Sequence, residues 1–67
     1  MMRIILNGES HSVAEAVTIS GLVGELNLIP AMLLIEHNGV ALHREEWNSR
    51  TLGEGDKIEF IRVVAGG

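Results

Sequence analysis

The hydrophobic positions change period twice along the 67 residues. Arg3-Ile4-Ile5-Leu6 is rich in β-branched side chains and predicts a strand, which Asn7-Gly8 turns into a hairpin. A second strand is expected over Glu9 to Ala14. Alternation puts Met2, Ile4 and Leu6 on one face and Arg3 and Ile5 on the other. The period then lengthens: Ile19, Leu22, Val23 and Leu26 form the stripe of an amphipathic helix. Thr18 stands where an N-cap belongs. Asn27 suits a left-handed helix end, and Pro30 holds Ile29 extended. Gly21 and Gly24 each weaken the helix by about 1 kcal/mol relative to alanine, so packing against a sheet has to hold it.

Alternation returns in Leu33-Leu34-Ile35-Glu36-His37, read as a third strand that turns at Asn38-Gly39 into a short fourth around Val40-Ala41-Leu42. His43-Arg44-Glu45-Glu46-Trp47 is too short and polar for a core helix and predicts a single turn, with Trp47 folded over the core edge. After the turn-rich Thr51-Leu52-Gly53-Glu54-Gly55-Asp56 comes the last strand, Lys57 to Val63, with Ile58 and Phe60 inward and Glu59 and Ile61 outward. This order predicts an α+β fold, a mixed four- to five-stranded sheet with one main helix packed across one face. The first and last strands are the most apolar, hence central; as neighbours they run parallel. The domain is expected over 1–64, with a flexible tail over 65–67.

Composition narrows the function classes. A chain this short buries only about 60% of the surface its unfolded form exposes, and its 46% hydrophobic residues are largely used by the core-facing positions above. Little remains to line a deep substrate pocket, which argues against an enzyme. With nine acidic and five basic residues the net charge is −4, and the basic ones are scattered. That excludes the basic patch of a nucleic-acid binder and favours a protein partner with a basic surface. No apolar run reaches the roughly 20 residues of a membrane span, and a signal-peptide pattern is absent. A cytoplasmic protein, a monomer when free, is expected.

The sequence ends in Val64-Ala65-Gly66-Gly67. Terminal glycines are often only frayed chain. Here they follow a strand with no linker between, and two residues without a β-carbon fit a narrow channel in another protein. The reactive group offered there is the Gly67 α-carboxylate. It needs activation by ATP, and Gly53-x-Gly55 lacks the spacing and the Lys-Ser/Thr of a phosphate loop. Activation therefore falls to a partner, and this chain is its substrate or carrier.

Several stretches together carry a family resemblance: Ile4-Ile5-Leu6-Asn7-Gly8, Thr18-Ile19 with Leu22, Val23 and Leu26, Asn38-Gly39, Arg44-Glu45-Glu46-Trp47, Gly55-Asp56-Lys57-Ile58 and the Gly-Gly end. The chain resembles the ubiquitin-like β-grasp sulfur carriers, most closely the ThiS-type carriers of thiamine biosynthesis. The resemblance implies that a ThiF-type, E1-like adenylyltransferase activates Gly67 with ATP, with Ala65 and Gly66 threading its channel. It further implies that a sulfur donor such as a cysteine desulfurase converts Gly67 to a thiocarboxylate, and that a ThiG-type thiazole synthase takes the sulfur. No cofactor bound by the chain itself is implied. With no cysteine, sulfur has no side chain to sit on. Carriers of the molybdopterin-synthase type are similar, but tend to be longer and to have a proline near the tail. A ubiquitin-like protein modifier and an interaction module with an inert tail are the remaining alternatives.

Ile5, Leu34, Ile61 and Val63 share the sheet face opposite the helix and form the expected docking patch for these partners. His11, His37 and His43 lack the close pairs of a zinc site, so no metal is expected, and Glu45-Glu46 reads as a solvated turn. His37 falls in an inward phase where relatives have an aliphatic residue. It is expected either at the strand end with its ring partly wet or packed under Trp47. Ala16-Val17 stands where relatives have a more turn-like pair.

Overall fold

The structure, a computed structural model, describes residues 1–63. β1 (Met2–Leu6) and β2 (Glu9–Val13) form the N-terminal hairpin, closed by Asn7 and Gly8, both with positive φ. Then α1 (Ile19–Glu25) crosses one face, and a 3-10 turn over Pro30–Met32 leads into β3 (Leu33–His37). A second turn with positive φ at Asn38 and Gly39 gives β4 (Val40–Ala41), a 3-10 turn covers Arg44–Glu46, and β5 (Lys57–Arg62) closes the sheet. Strand order is β2-β1-β5-β3-β4. The central pair, β1 and β5, is parallel, and every other pairing is antiparallel. This is the expected α+β arrangement, a ubiquitin-like β-grasp.

The helix is held as its sequence requires. Thr18 Oγ1 accepts from the Gly21 N–H at 3.0 Å, meeting one of the unpaired donors of the first turn. Asn27 leaves the helix at φ 56. Ile19, Leu22 and Val23 are buried on Ile4, Val13, Ile35 and Ile58 of the sheet. Trp47 and Leu52 close the core edge. Trp47 is buried, with the Arg44 guanidinium 4.8 Å above its ring. The 47–52 segment is sewn to the start of the helix by Ile19 N–H to Arg50 O (2.9 Å), Ser20 N–H to Trp47 O (3.1 Å) and Leu52 N–H to Val17 O (2.9 Å).

Three strand ends shift slightly, β5 stopping at Arg62 rather than Val63. β2 stops at Val13 rather than Ala14. Leu42 lies beyond β4, although its N–H still bonds the Ile35 carbonyl at 2.9 Å. Ala16 turns the chain into the helix at φ 61, a left-handed conformation costing an alanine about 1–2 kcal/mol. Among the described residues no helix is long and apolar enough to cross a membrane.

Candidate functional site

β5 lies between β1 and β3, but its pairing with β1 stops at Ile58, so its C-terminal end is paired with β3 alone. Antiparallel register with β3 sets Ile61 directly opposite Leu34 and Arg62 opposite Leu33. One step further, the Val63 N–H donates to the Met32 carbonyl at 2.8 Å. The chain is therefore tied to the sheet up to Val63. Gly67, Gly66 and Ala65 lie outside the described residues.

Two faces meet at this end. On the face away from the helix, Leu34 and Ile61 form a cross-strand pair, 57% and 44% exposed, with Val63 beyond at 41%. The next pair along is Glu36 opposite Glu59, like charges that oppose strand pairing. Neither makes an ion pair among the described residues. Ile5 is placed apart. It is half-buried and opposite Lys57, four residues before Ile61, about 13 Å along a strand rising roughly 3.3 Å per residue. The structure thus brings Leu34, Ile61 and Val63 together and leaves Ile5 at the far margin. On the helix side, the loop leaving α1 and the Pro30–Met32 turn frame a groove of about 220 Å³ lined by Asn27, Leu28, Ile29, Met32, Leu33 and Arg62.

The opposite end of the sheet is closed by polar ties. His37 is the last residue of β3, at the strand end as expected, but its ring is buried rather than partly wet. Its Nε2 lies 2.7 Å from Asp56 Oδ2, and its Nδ1 is 3.0 Å from Arg50 Nε. The arginine nitrogen can only donate. Nδ1 is therefore the acceptor and Nε2–H the donor to Asp56, which fixes one neutral tautomer. Asp56 also accepts from the Gly53 N–H at 2.8 Å and from Asn38 Nδ2 at 3.2 Å. Burial opposes its ionisation, but the bonds from His37, Gly53 and Asn38 outweigh that, and its carboxyl is held below the usual value. Asn38 in turn accepts from the Lys57 N–H at 2.8 Å. His43 is exposed at the head of the 44–46 turn, where its N–H donates to Glu46 Oε1 at 2.7 Å. Among the described residues no three His, Cys, Asp or Glu side chains come together as a metal site.

Sequence reasoning did not find the groove at Arg62, the Glu36–Glu59 pair or the partners of His37. Only the inward phase of His37 signalled something unusual.

The ThiS family profile matches residues 4–67, nearly the whole chain. The chain belongs to the ThiS family. A crystal structure of the thiamine biosynthesis protein ThiS from Geobacter metallireducens superposes with a TM-score of 0.85 at 32% identity, covering 98% of this chain and 100% of that one. The sulfur carrier protein ThiS of Escherichia coli is 29% identical over 66 residues, 98% of this chain and 100% of its own length. A thiazole synthase from Magnetococcus marinus is 33% identical over 66 residues, 98% of this chain. The chain spans 20% of the length of the thiazole synthases it matches.

Proposed function

We propose that this ThiS-family chain is a protein substrate rather than an enzyme, a sulfur carrier of thiamine biosynthesis that holds sulfur as a thiocarboxylate on Gly67. The carboxylate attacks the α-phosphate of ATP in the active site of a ThiF-type enzyme. Pyrophosphate leaves and an acyl-adenylate forms. A persulfide on a sulfur donor displaces AMP, and a thiol then cleaves the resulting S–S bond, leaving the thiocarboxylate. A ThiG-type thiazole synthase receives the sulfur. The matched segments inside two larger thiazole synthases support that partnership, because a segment joined to its acceptor meets it at high effective concentration.

The observation that carries this reading is the end of β5. A central strand is pinned to Val63 by the Met32 carbonyl, beside an exposed apolar pair that a soluble domain has no internal reason to display. We assign Leu34, Ile61 and Val63, with Ile5 at the margin, to docking. Ala65 and Gly66 give clearance in the partner's channel. The absence of cysteine leaves the terminal carboxylate as the group able to take sulfur. ATP–pyrophosphate exchange by a ThiF-type enzyme tests the first step. Exchange is expected when this chain is added and should vanish when Gly67 is deleted. Exchange that ignores the deletion would overturn the reading.

A further inference from the structure

The outer apolar patch uses one face at the root of the tail; the groove uses the other. It begins at the Pro30–Met32 turn, whose Met32 carbonyl holds Val63, and both Ile29 and Met32 are exposed, Ile29 the more so. Leu28, Leu33 and Arg62 also line it. A second hollow continues from the same Leu28, Leu33 and Arg62 toward Asn7 and Phe60. At about 220 Å³ the groove is smaller than the roughly 300–1,000 Å³ of small-molecule sites. It matches a side chain or two of another protein rather than a metabolite.

Charge selects which side chains. The chain carries −4 overall, yet the charged residue lining this groove is a cation, Arg62. Among the described residues Arg62 makes no ion pair and no side-chain hydrogen bond. A guanidinium beside apolar surface recognises a carboxylate through its planar fork of donors. Distance adds a constraint. Four residues follow Val63, spanning at most about 14 Å, so an enzyme reaching Gly67 has to approach the tail root closely. A body that encloses a strand end meets both faces of it.

We infer that the Arg62 groove is a second contact for the adenylating partner, receiving from it an acidic residue flanked by an apolar side chain. This rests on the carrier reading above. It differs from the outer patch in chemistry, since the patch is apolar with glutamates at its border while the groove pairs apolar surface with a cation. The two surfaces together fix how the partner sits around β5.

The test measures the KM of a ThiF-type enzyme for this chain in ATP–pyrophosphate exchange, together with direct binding in the absence of ATP. Arg62→Glu should raise KM and Kd at least tenfold with kcat nearly unchanged. Arg62→Lys should recover most of the loss, and Ile29→Asp should weaken binding with the wild-type arginine in place. Circular dichroism establishes that each variant folds; should Arg62→Glu fail to fold, Arg62→Ala replaces it with an expected three- to tenfold rise. Wild-type binding that holds within twofold in the Arg62 and Ile29 variants, while Leu34→Lys abolishes it, would overturn the groove and leave the carrier reading standing. A wild-type chain that neither binds the enzyme nor supports exchange would overturn the carrier reading, and the groove's assigned occupant with it.

Discussion

The two ends of the sheet are built on opposite principles. At the start of β5, Arg50, His37, Asp56, Asn38 and the Gly53 backbone are joined in one hydrogen-bonded group. It ties the 50–56 loop to the β3–β4 turn, and its central histidine is buried. At the far end of β5, beyond Phe60, the strand is held by backbone bonds, and the outward side chains Ile61 and Val63 are apolar and exposed, with Arg62 between them. A small domain has few contacts to distribute. Concentrating the polar ties at one end holds the fold there and leaves the other end open for the docking proposed above.

The strongest way to break that comparison is to damage the open end. Leu34→Lys combined with Ile61→Lys should abolish adenylation and sulfur loading while leaving the thermal midpoint within a few degrees of wild type. Both residues are exposed and contribute little to folding. Unchanged thiocarboxylation in this double variant, read by mercury-affinity electrophoresis, would remove the outer face from the account.

Damage to the closed end should do the reverse. His37→Ala removes a buried ring and strands both Arg50 and Asp56. A loss of about 2–3 kcal/mol is expected from hydrogen bonds to charged partners left unmade. Urea titration checks this, and the exchange rate at low temperature should stay near wild type. That is a large fraction of the stability of a domain this size.

Acid sharpens the same point. The folded state holds the Asp56 carboxyl below its ordinary value, so the ionised form is favoured by folding. Its contribution is complete above the unfolded pKa of about 3.9 and is lost as pH falls through the lower folded value. Urea midpoints measured from pH 6 down to pH 3 should fall more steeply for wild type than for Asp56→Asn. Parallel curves would show that the carboxylate is not coupled to folding.

Much of this was legible in the sequence, for identifiable reasons. The switch from alternation to a 3.6-residue stripe marks α1 because Ile19, Leu22 and Val23 all reach the same core. The Asn7-Gly8 and Asn38-Gly39 pairs mark hairpins because both positions of each turn require positive φ. The parallel β1–β5 pair follows from their apolar character. What the sequence concealed depends on register and on loops. Ile5 shares a face with Ile61, yet its pairing with Lys57 sets it some four residues away. His37 meets its partners across a loop whose path no local pattern specifies. The Arg62 groove exists because the 26–32 connection passes beside the end of β5.

The smallest expected effects lie in the helix and the turn that enters it, away from both ends. A β-carbon at Gly24 meets nothing, so Gly24→Ala should stabilise by about 0.5–1 kcal/mol. At Gly21 the added carbon would lie 3.0 Å from Val17 Cγ2, and Gly21→Ala should gain nothing or lose. Ala16→Gly should relieve the strain at φ 61 and stabilise by about 1 kcal/mol. Thermal melts separate the three, and none should alter sulfur loading.

The central claim concerns the residue that carries sulfur. The chain is incubated with ATP, a ThiF-type enzyme, a persulfide donor and a thiol, then run on a gel containing immobilised mercury. Retardation is the informative readout because exchange of oxygen for sulfur adds nearly the mass that oxidation of one of the three methionines adds. Wild type should give a retarded band, and the Gly67 deletion none. A band that persists in the deletion, or never forms in the wild type, would contradict that claim.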